Sequence, residues 1–228
     1  MKRLFLILLC SVIFVNLYSQ FRMDYSLSYA SYQMRDMKDL LHSIETSELM
    51  RKIGIKNVEN FPAYIAHAVN IGYRINEHEF GIKSSFYTTG GKLSVADYSG
   101  AINVKMVTNG YREGFYYRNY FYTYNTQERP RFAIWGEVSP AIIISKLKLK
   151  TIVRDLEEQQ TIEDFDFNKT AFSLLPQLGG KYYLTNNISF DISAGYELSF
   201  GGEYSDLNNS PRPDWSGFRI NGGIGLTF

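Results

Sequence analysis

The sequence predicts an all-β chain: an eight-stranded antiparallel up-and-down barrel that crosses a membrane, with a short helix in its first long external loop. Three observations predict it. Segments of strand length alternate apolar and polar residues; no stretch beyond the first twenty residues is apolar enough to span as a helix; and short and long connections between the segments take turns. Successive side chains on a strand point to opposite faces, so each segment presents one greasy face and one polar face.

The first twenty residues read as a secretory signal. Lys2 and Arg3 form a positive start, Leu4 to Val15 is almost wholly apolar, and Asn16 to Gln20 turns polar with small Ser19 near the cut. Cleavage there leaves residues 21–228 as one barrel domain. Leu8-Leu9 before Cys10 lacks the small residues of a lipidation site, so the single cysteine leaves with the signal and the mature domain has no disulfide or thiolate metal site. Of 24 Lys+Arg and 23 Asp+Glu, two lysine/arginine residues depart, leaving 22 against 23. A charge near zero gives nucleic acid no purchase, and no cofactor is expected. The 18 Tyr and 16 Phe suit rings gathered at two bilayer surfaces.

The segments follow in order. Phe21, Met23, Tyr25, Leu27 and Tyr29 alternate with Arg22, Asp24, Ser26 and Ser28. Ile65, Val69, Ile71, Tyr73 and Ile75 share a parity, and a tight turn at Asn76-Glu77-His78 leads into Phe80, Ile82 and Phe86. Residues 101–124 form one long strand whose phase is ambiguous, because Tyr and Phe occupy both parities from Tyr111 onward. After a turn at 125–130, Phe132, Ile134, Val138, Ile142 and Ile144 face away from Ala133, Trp135, Glu137 and Ser139. Leu174 to Leu184 and Ile188 to Phe200 flank a Thr185-Asn186-Asn187 turn, whose residue types tolerate positive φ. Phe218, Ile220, Ile224, Leu226 and Phe228 close the chain on an aromatic.

Connections near 76–78, 125–130 and 185–187 are short, and those near 33–62, 90–100, 154–164 and 201–217 are long. That alternation puts short turns and both termini on the periplasmic side and long loops outside. A soluble eight-stranded barrel of lipocalin type, a small-molecule carrier, has the same periodicity with its faces reversed. The polar parity carries Arg22, Asp24, Arg74, Lys83, Glu137, Lys181, Asp191, Glu197 and Arg219, five positive and four negative. In a membrane barrel these point into a lumen just wide enough for side chains, where charges must pair. The set reads as a structural plug rather than an open pore; a proton or small-ion path is the lesser reading.

Local features are few. Asp36 is placed to cap a loop helix with Met37, Leu40, Leu41 and Ile44 on one stripe, packing over the barrel mouth or, on the sharper reading, lying on the outer leaflet or engaging a partner. Gly90-Gly91-Lys92 lacks the spacing of a phosphate loop and reads as a turn. His42, His67 and His78 are dispersed and none stands in a His-x-Ser arrangement, so neither a catalytic triad nor a metal site is expected. Asp155, Glu157, Glu158, Glu163, Asp164 and Asp166 crowd the third long connection; they read as a solvated charged loop ahead of a cation site.

The signal segment, the terminal strand and the strand–turn–strand run from Gly179 to Ser189 together resemble the small eight-stranded OmpX type of porin-like outer-membrane barrels. The resemblance implies residence in the outer membrane of a Gram-negative bacterium, contact with its lipids, and recognition of the closing strand at Ile224, Leu226 and Phe228 by the barrel-assembly machinery. For activity it implies only a class that holds adhesins, structural anchors and a few lipid-modifying enzymes; the histidine placement then favours a structural or adhesive role without enzyme activity, with an extracellular ligand at the loops unnamed. A lipid-modifying enzyme using His67 or His42 is the rival.

Overall fold

The computed structural model describes residues 21–98, 100–126, 129–155, 159–204 and 211–228. The predicted signal segment 1–20, with Cys10, and the loop residues Glu157 and Glu158 lie outside the described residues, as do the side chains of Asp155, Glu163 and Asp164.

Nine strands and two helices follow the order β1 (Phe21–Ala30), α1 (Arg35–Thr46), α2 (Glu48–Lys52), β2 (Lys56–Asn60), β3 (Tyr64–Ile75), β4 (His78–Asp97), β5 (Gly100–Thr126), β6 (Arg129–Asp155), β7 (Gln159–Tyr183), β8 (Ile188–Phe200) and β9 (Gly217–Thr227). Eight of the strands form a closed antiparallel ring, β1-β3-β4-β5-β6-β7-β8-β9, sealed by the β1–β9 pairing from Arg22 opposite Thr227 to Ala30 opposite Arg219. Closure removes the unpaired edges that an open sheet would expose to hydrocarbon. β2 stands outside the ring, paired with the far end of β4.

Turn chemistry is local. Between β3 and β4, Asn76 takes φ 55°, a conformation its short amide side chain tolerates. Between β7 and β8, the Thr185 hydroxyl accepts from the backbone N–H groups of Asn187 and Ile188.

Two of the four expected long connections are instead strand. β4 runs to Asp97 and β5 begins at Gly100; β6 runs to Asp155 and β7 begins at Gln159. Gly90 and Gly91 are therefore not a turn but lie mid-strand in β4, where a Cβ at Gly91 would press on Leu41 and Phe61. β5 and β6 each reach 27 residues, more than twice the 9–11 a tilted spanning strand needs, so the β4–β7 wall stands well clear of the bilayer. Among the described residues, the long connections outside the ring strands are 31–63 and the segments 201–204 and 211–216 before β9.

The helix in the first loop forms with the predicted stripe, but Asp36 does not cap it. The residue before the helix is Met34, in the left-handed region at φ 44° with no side-chain cap, while an Asp36 carboxylate oxygen accepts from the backbone N–H of Arg212 in the last loop. Met37 and Leu41 are fully buried, and Leu40 and Ile44 pack beside them. Their partners are Leu93, Val104, Met106, Ile143 and Leu147 on the inner face of the tall wall, together with Phe61, Tyr204 and Trp215. Burial raises the Tyr204 phenol above its usual pKa.

The ambiguous phase of β5 has a structural cause. The register slips between Tyr120 and Tyr122, so Tyr116 and Tyr120 face inward while Tyr122, past the bulge, faces out. A bulge inserts one residue and exchanges the two faces.

Candidate functional site: the filled lumen and the sealed outer mouth

Interior side chains are those on the inward parity of each strand, and two groups of ions fill the space. The lower group centres on Arg118. Its guanidinium donates twice to Glu137, at 2.9 and 2.8 Å, reaches Asp24 at 3.2 Å and Glu79 at 3.3 Å, and lies 4.1 Å from the centre of the Trp135 ring system. Glu79 also accepts from the Tyr116 hydroxyl at 2.7 Å, the Tyr120 hydroxyl at 2.6 Å and Arg22 at 3.3 Å. Lys83 donates to Glu137 at 2.6 Å and to Gln177 at 2.7 Å, and Lys181 sits between Asp24 at 3.4 Å and Asp191 at 3.3 Å. Buried charge is tolerated when each ion has a counter-ion and hydrogen bonds, and each of these does.

The upper group is a row of three. Glu197 takes Arg112 on one carboxylate oxygen at 2.8 Å and Arg219 on the other at 2.9 Å. Arg112 also reaches the carbonyl and hydroxyl of Ser139, and Arg219 donates to the carbonyls of Ser31 and Trp215. Above it lies an aromatic lid. The Trp215 indole donates to Ser145 at 2.8 Å and meets Tyr32 edge-on at 5.1 Å and Tyr87 at 5.7 Å; Arg219 lies about equally close to both tyrosine rings. The helix cluster closes over this lid.

Glycines make room for the large rings. Gly72 and Gly81 pair across β3 and β4, and a Cβ on either would strike the Tyr116 ring or hydroxyl. Gly110 faces the Trp215 indole, and Gly179 that of Trp135, in the same way. The lower group encloses a cavity of about 20 Å³ among Asp24, Asn70, Lys83, Arg118, Gln177 and Asp191, room for one water molecule.

All nine residues named from the polar parity project into the lumen. Arg22, Asp24, Lys83, Glu137, Lys181, Glu197 and Arg219 are buried. Asp191 is partly exposed, and Arg74 sits at the lower mouth, 4.0 Å from the Tyr120 ring. Sequence reasoning missed Glu79, Arg112 and Arg118, all buried. Glu79 is the second residue of β4, beside a turn, and its shared parity with Lys83 was the signal for it; both arginines fall where the two parities of β5 look alike, each an even number of residues from inward Tyr116.

The outer wall is inverted relative to a soluble protein. Phe115, Leu178, Ile192, Phe218 and Ile220 are more than half exposed, and aromatic contacts gather at both ends of the greasy band, including Phe21–Phe228 and Phe80–Tyr117 below and Phe86–Tyr111 and Tyr196–Phe218 above. A hollow of about 790 Å³ lies on this outer wall, where Gly136, Pro176 and Ala194 leave little side chain. An apolar outside and an ionic inside remove the soluble carrier from consideration. The fold is that of a small outer-membrane β-barrel.

No protein-family model matches the chain, and no curated protein does. Among solved structures it is similar to Neisserial surface protein A, at 13% identity over 91% of this chain and 97% of that one with a TM-score of 0.41. It is similar to Ail, the attachment invasion locus protein of Yersinia pestis, at 13% identity over 92% and 97% with a TM-score of 0.35. The N-terminal β-barrel domain of Pseudomonas aeruginosa OprF follows at 10% identity over 92% and 99% with a TM-score of 0.32. The closed ring of strands and the inverted polarity of this chain carry its fold independently of these likenesses.

The remaining candidates are dispersed. His67 faces outward with its ring nitrogen 2.9 Å from the Tyr25 hydroxyl, His78 lies 2.8 Å from the Tyr117 hydroxyl, and His42 is beside Glu45 on α1. Among the described residues no group of three metal-ligating side chains comes together. Asp166, the one carboxylate of the third connection with a described side chain, pairs with Lys148 at 3.5 Å. Ile224, Leu226 and Phe228 share the outer face of β9, with Phe228 donating its backbone N–H to Phe21.

Proposed function

We propose that the protein is a non-enzymatic, non-conducting barrel of the Gram-negative outer membrane, exported by a cleaved signal, that holds a rigid β platform above the cell surface for structural or adhesive contact. The observation that carries this reading is the double closure of the lumen, ionic below and aromatic–aliphatic above, beneath a wall of long strands. Ionic and apolar side chains fill the described lumen at two levels, and the long strands β4 to β7 offer extensive surface above the bilayer. The closing strand at Ile224, Leu226 and Phe228 supplies the contact for the assembly machinery, and outer-membrane lipids cover the apolar band.

The test begins with protein from fractionated outer membranes, run on SDS gels with and without boiling. A band that shifts on boiling supports a detergent-resistant membrane barrel, and a periplasmic protein with no shift removes the reading. Attachment of cells to coated surfaces is then compared between wild type and a strain lacking residues 35–60; equal attachment removes the adhesive half.

One observation favours a lipid-modifying enzyme instead. Ser84 donates to Glu113 at 2.5 Å on the outer wall, and His67 faces outward on the strand next to Ser84. His67 is engaged with Tyr25 and not with the serine. Replacing His67 and His42 by Ala and profiling lipid A by mass spectrometry decides the matter: a changed acylation pattern would establish the enzyme.

A further inference from the structure

Between the two aromatic girdles the outer wall is apolar apart from one polar band on β3, β4 and β5. Glu113 on β5 faces out between Tyr111 and Phe115 and accepts from the Ser84 hydroxyl on β4 at 2.5 Å. His67 on β3 faces out beside them, with Nδ1 2.9 Å from the Tyr25 hydroxyl. Among the described residues no cation pairs with Glu113, and no group meets Nε2 of His67. A charged side chain on the lipid face opposes insertion, and an ionisable group at membrane depth marks a site with a partner to be named.

Within one copy the two groups cannot serve each other. β4 lies between their strands, which sets them about 10 Å apart at two strand spacings. They do stand at one depth. A row of paired residues that leaves β1 at Phe21 climbs round the ring to Phe218, which bonds Ser31, ten residues further up β1. Spread over eight strands, the climb is about one and a quarter residues per strand. A level line therefore drops by that much at each strand relative to the paired row. The row through His67 continues to Phe86 and Tyr111, so the level line passes close to Ser84 and reaches Glu113.

We propose that β3, β4 and β5 form the face on which two copies of this barrel pair within the membrane, Glu113 of each copy meeting His67 of the other. A two-fold axis along the membrane normal keeps depth and exchanges left with right on facing walls. An imidazole and a carboxylate level on either side of Ser84 are then each brought opposite the other kind. Hydrocarbon offers neither group a counter-charge, whereas a second copy offers one to each. Ile82 and Phe115, both more than half exposed, surround the pairs with apolar surface that keeps water out. Each copy inserts before it pairs, so the cost of carrying Glu113 into the bilayer is unchanged. The inference rests on the outer-membrane placement argued above, which the heat-modifiable band tests separately.

The experiment uses the full barrel in phosphatidylcholine vesicles, with donor and acceptor dyes on separate batches through N186C in the β7–β8 turn. Energy transfer is followed as the protein-to-lipid ratio rises, for wild type, H67E and E113H, each first checked for the heat-modifiable band. Wild type is expected to show transfer that unlabelled wild type competes away. E113H alone opposes imidazole to imidazole and H67E alone carboxylate to carboxylate, so each is expected to associate about tenfold or more weakly. Mixed one to one, the two variants oppose imidazole to carboxylate at both positions, and transfer between them is expected to return towards the wild-type level. If either charge variant lacks the band, E113Q takes its place and is expected to show the same weakening. Folded wild type without transfer at any ratio, a single variant that associates as wild type does, or a mixture no better than its components would each overturn the proposal.

Discussion

Arg118 holds three carboxylates at once, and each of them has a second cation: Lys83 for Glu137, Arg22 for Glu79, Lys181 for Asp24. Replacing it by Met leaves a comparable volume but no charge, and removing one partner of a buried ion pair costs about 3–5 kcal/mol. Because the second cations remain, Arg118→Met is expected near the lower end, about 3 kcal/mol, read as a lower urea midpoint of the heat-modifiable band. A midpoint equal to wild type would mean the lower network contributes nothing to stability. Glu113 is the opposite case, a carboxylate turned to the lipid wall among Tyr111, Phe115 and Ile142, with Ser84 as its described hydrogen-bond donor. Charged side chains on the lipid face of a barrel oppose insertion. Glu113→Leu should therefore raise refolding yield into bilayers, and a fall would show that the carboxylate serves a contact worth its cost. Legibility differs between these two residues. Asp24 and Lys181 could be placed because their strands keep one phase, whereas Arg118 sits between inward Tyr116 and inward Tyr120 on a strand where rings also point outward.

At the scale of elements, the loop helix was readable and the tall hairpins were not, for one reason. Helix α1 repeats its apolar residues at three and four, and nothing interrupts the stripe. The strands change meaning at the membrane surface. Inside the bilayer β5 turns Tyr111 and Phe115 outward and Arg112 inward; above it Val104 and Met106 turn inward and Lys105 outward. The backbone parity is continuous while the apolar parity exchanges sides, because water replaces lipid outside and α1 replaces ions inside. A reader following hydrophobicity loses the strand there and sees a loop. The same packing yields a prediction. Leu41→Ala removes a fully buried side chain, a change that costs about 2–5 kcal/mol where the site cannot collapse. The ring of strands is hydrogen-bonded independently of α1, so the loss should be local. Protease cutting within residues 31–63 is expected to accelerate while the boiling shift is unchanged. Unfolding of the whole barrel at the same step would show that the helix and the ring form one cooperative unit.

For the whole molecule, three barriers stand in series along the axis, and that arrangement decides how the barrel could be opened. Glu197 with Arg112 and Arg219 closes the upper lumen through ionic contacts, and Trp215 with α1 closes the mouth above it through apolar ones. Deleting residues 35–60 strips the helix but leaves the carboxylate and both guanidinium groups in place, so planar-bilayer recordings should show no resolvable steps. Changing Arg112, Glu197 and Arg219 together to Ala widens the upper lumen but leaves the lid, and it too should stay silent. Even the combination meets the lower group, in which Arg118 on β5 and Lys181 on β7 both reach Asp24 on β1 across the ring. Conductance is therefore expected only when the loop, the upper triplet and Arg118 are removed together, in a barrel whose survival is first verified by the boiling shift. Steps from the loop deletion alone would show that the helix is the gate and that the ions beneath it leave a path, which would move the protein from the display class to the channels.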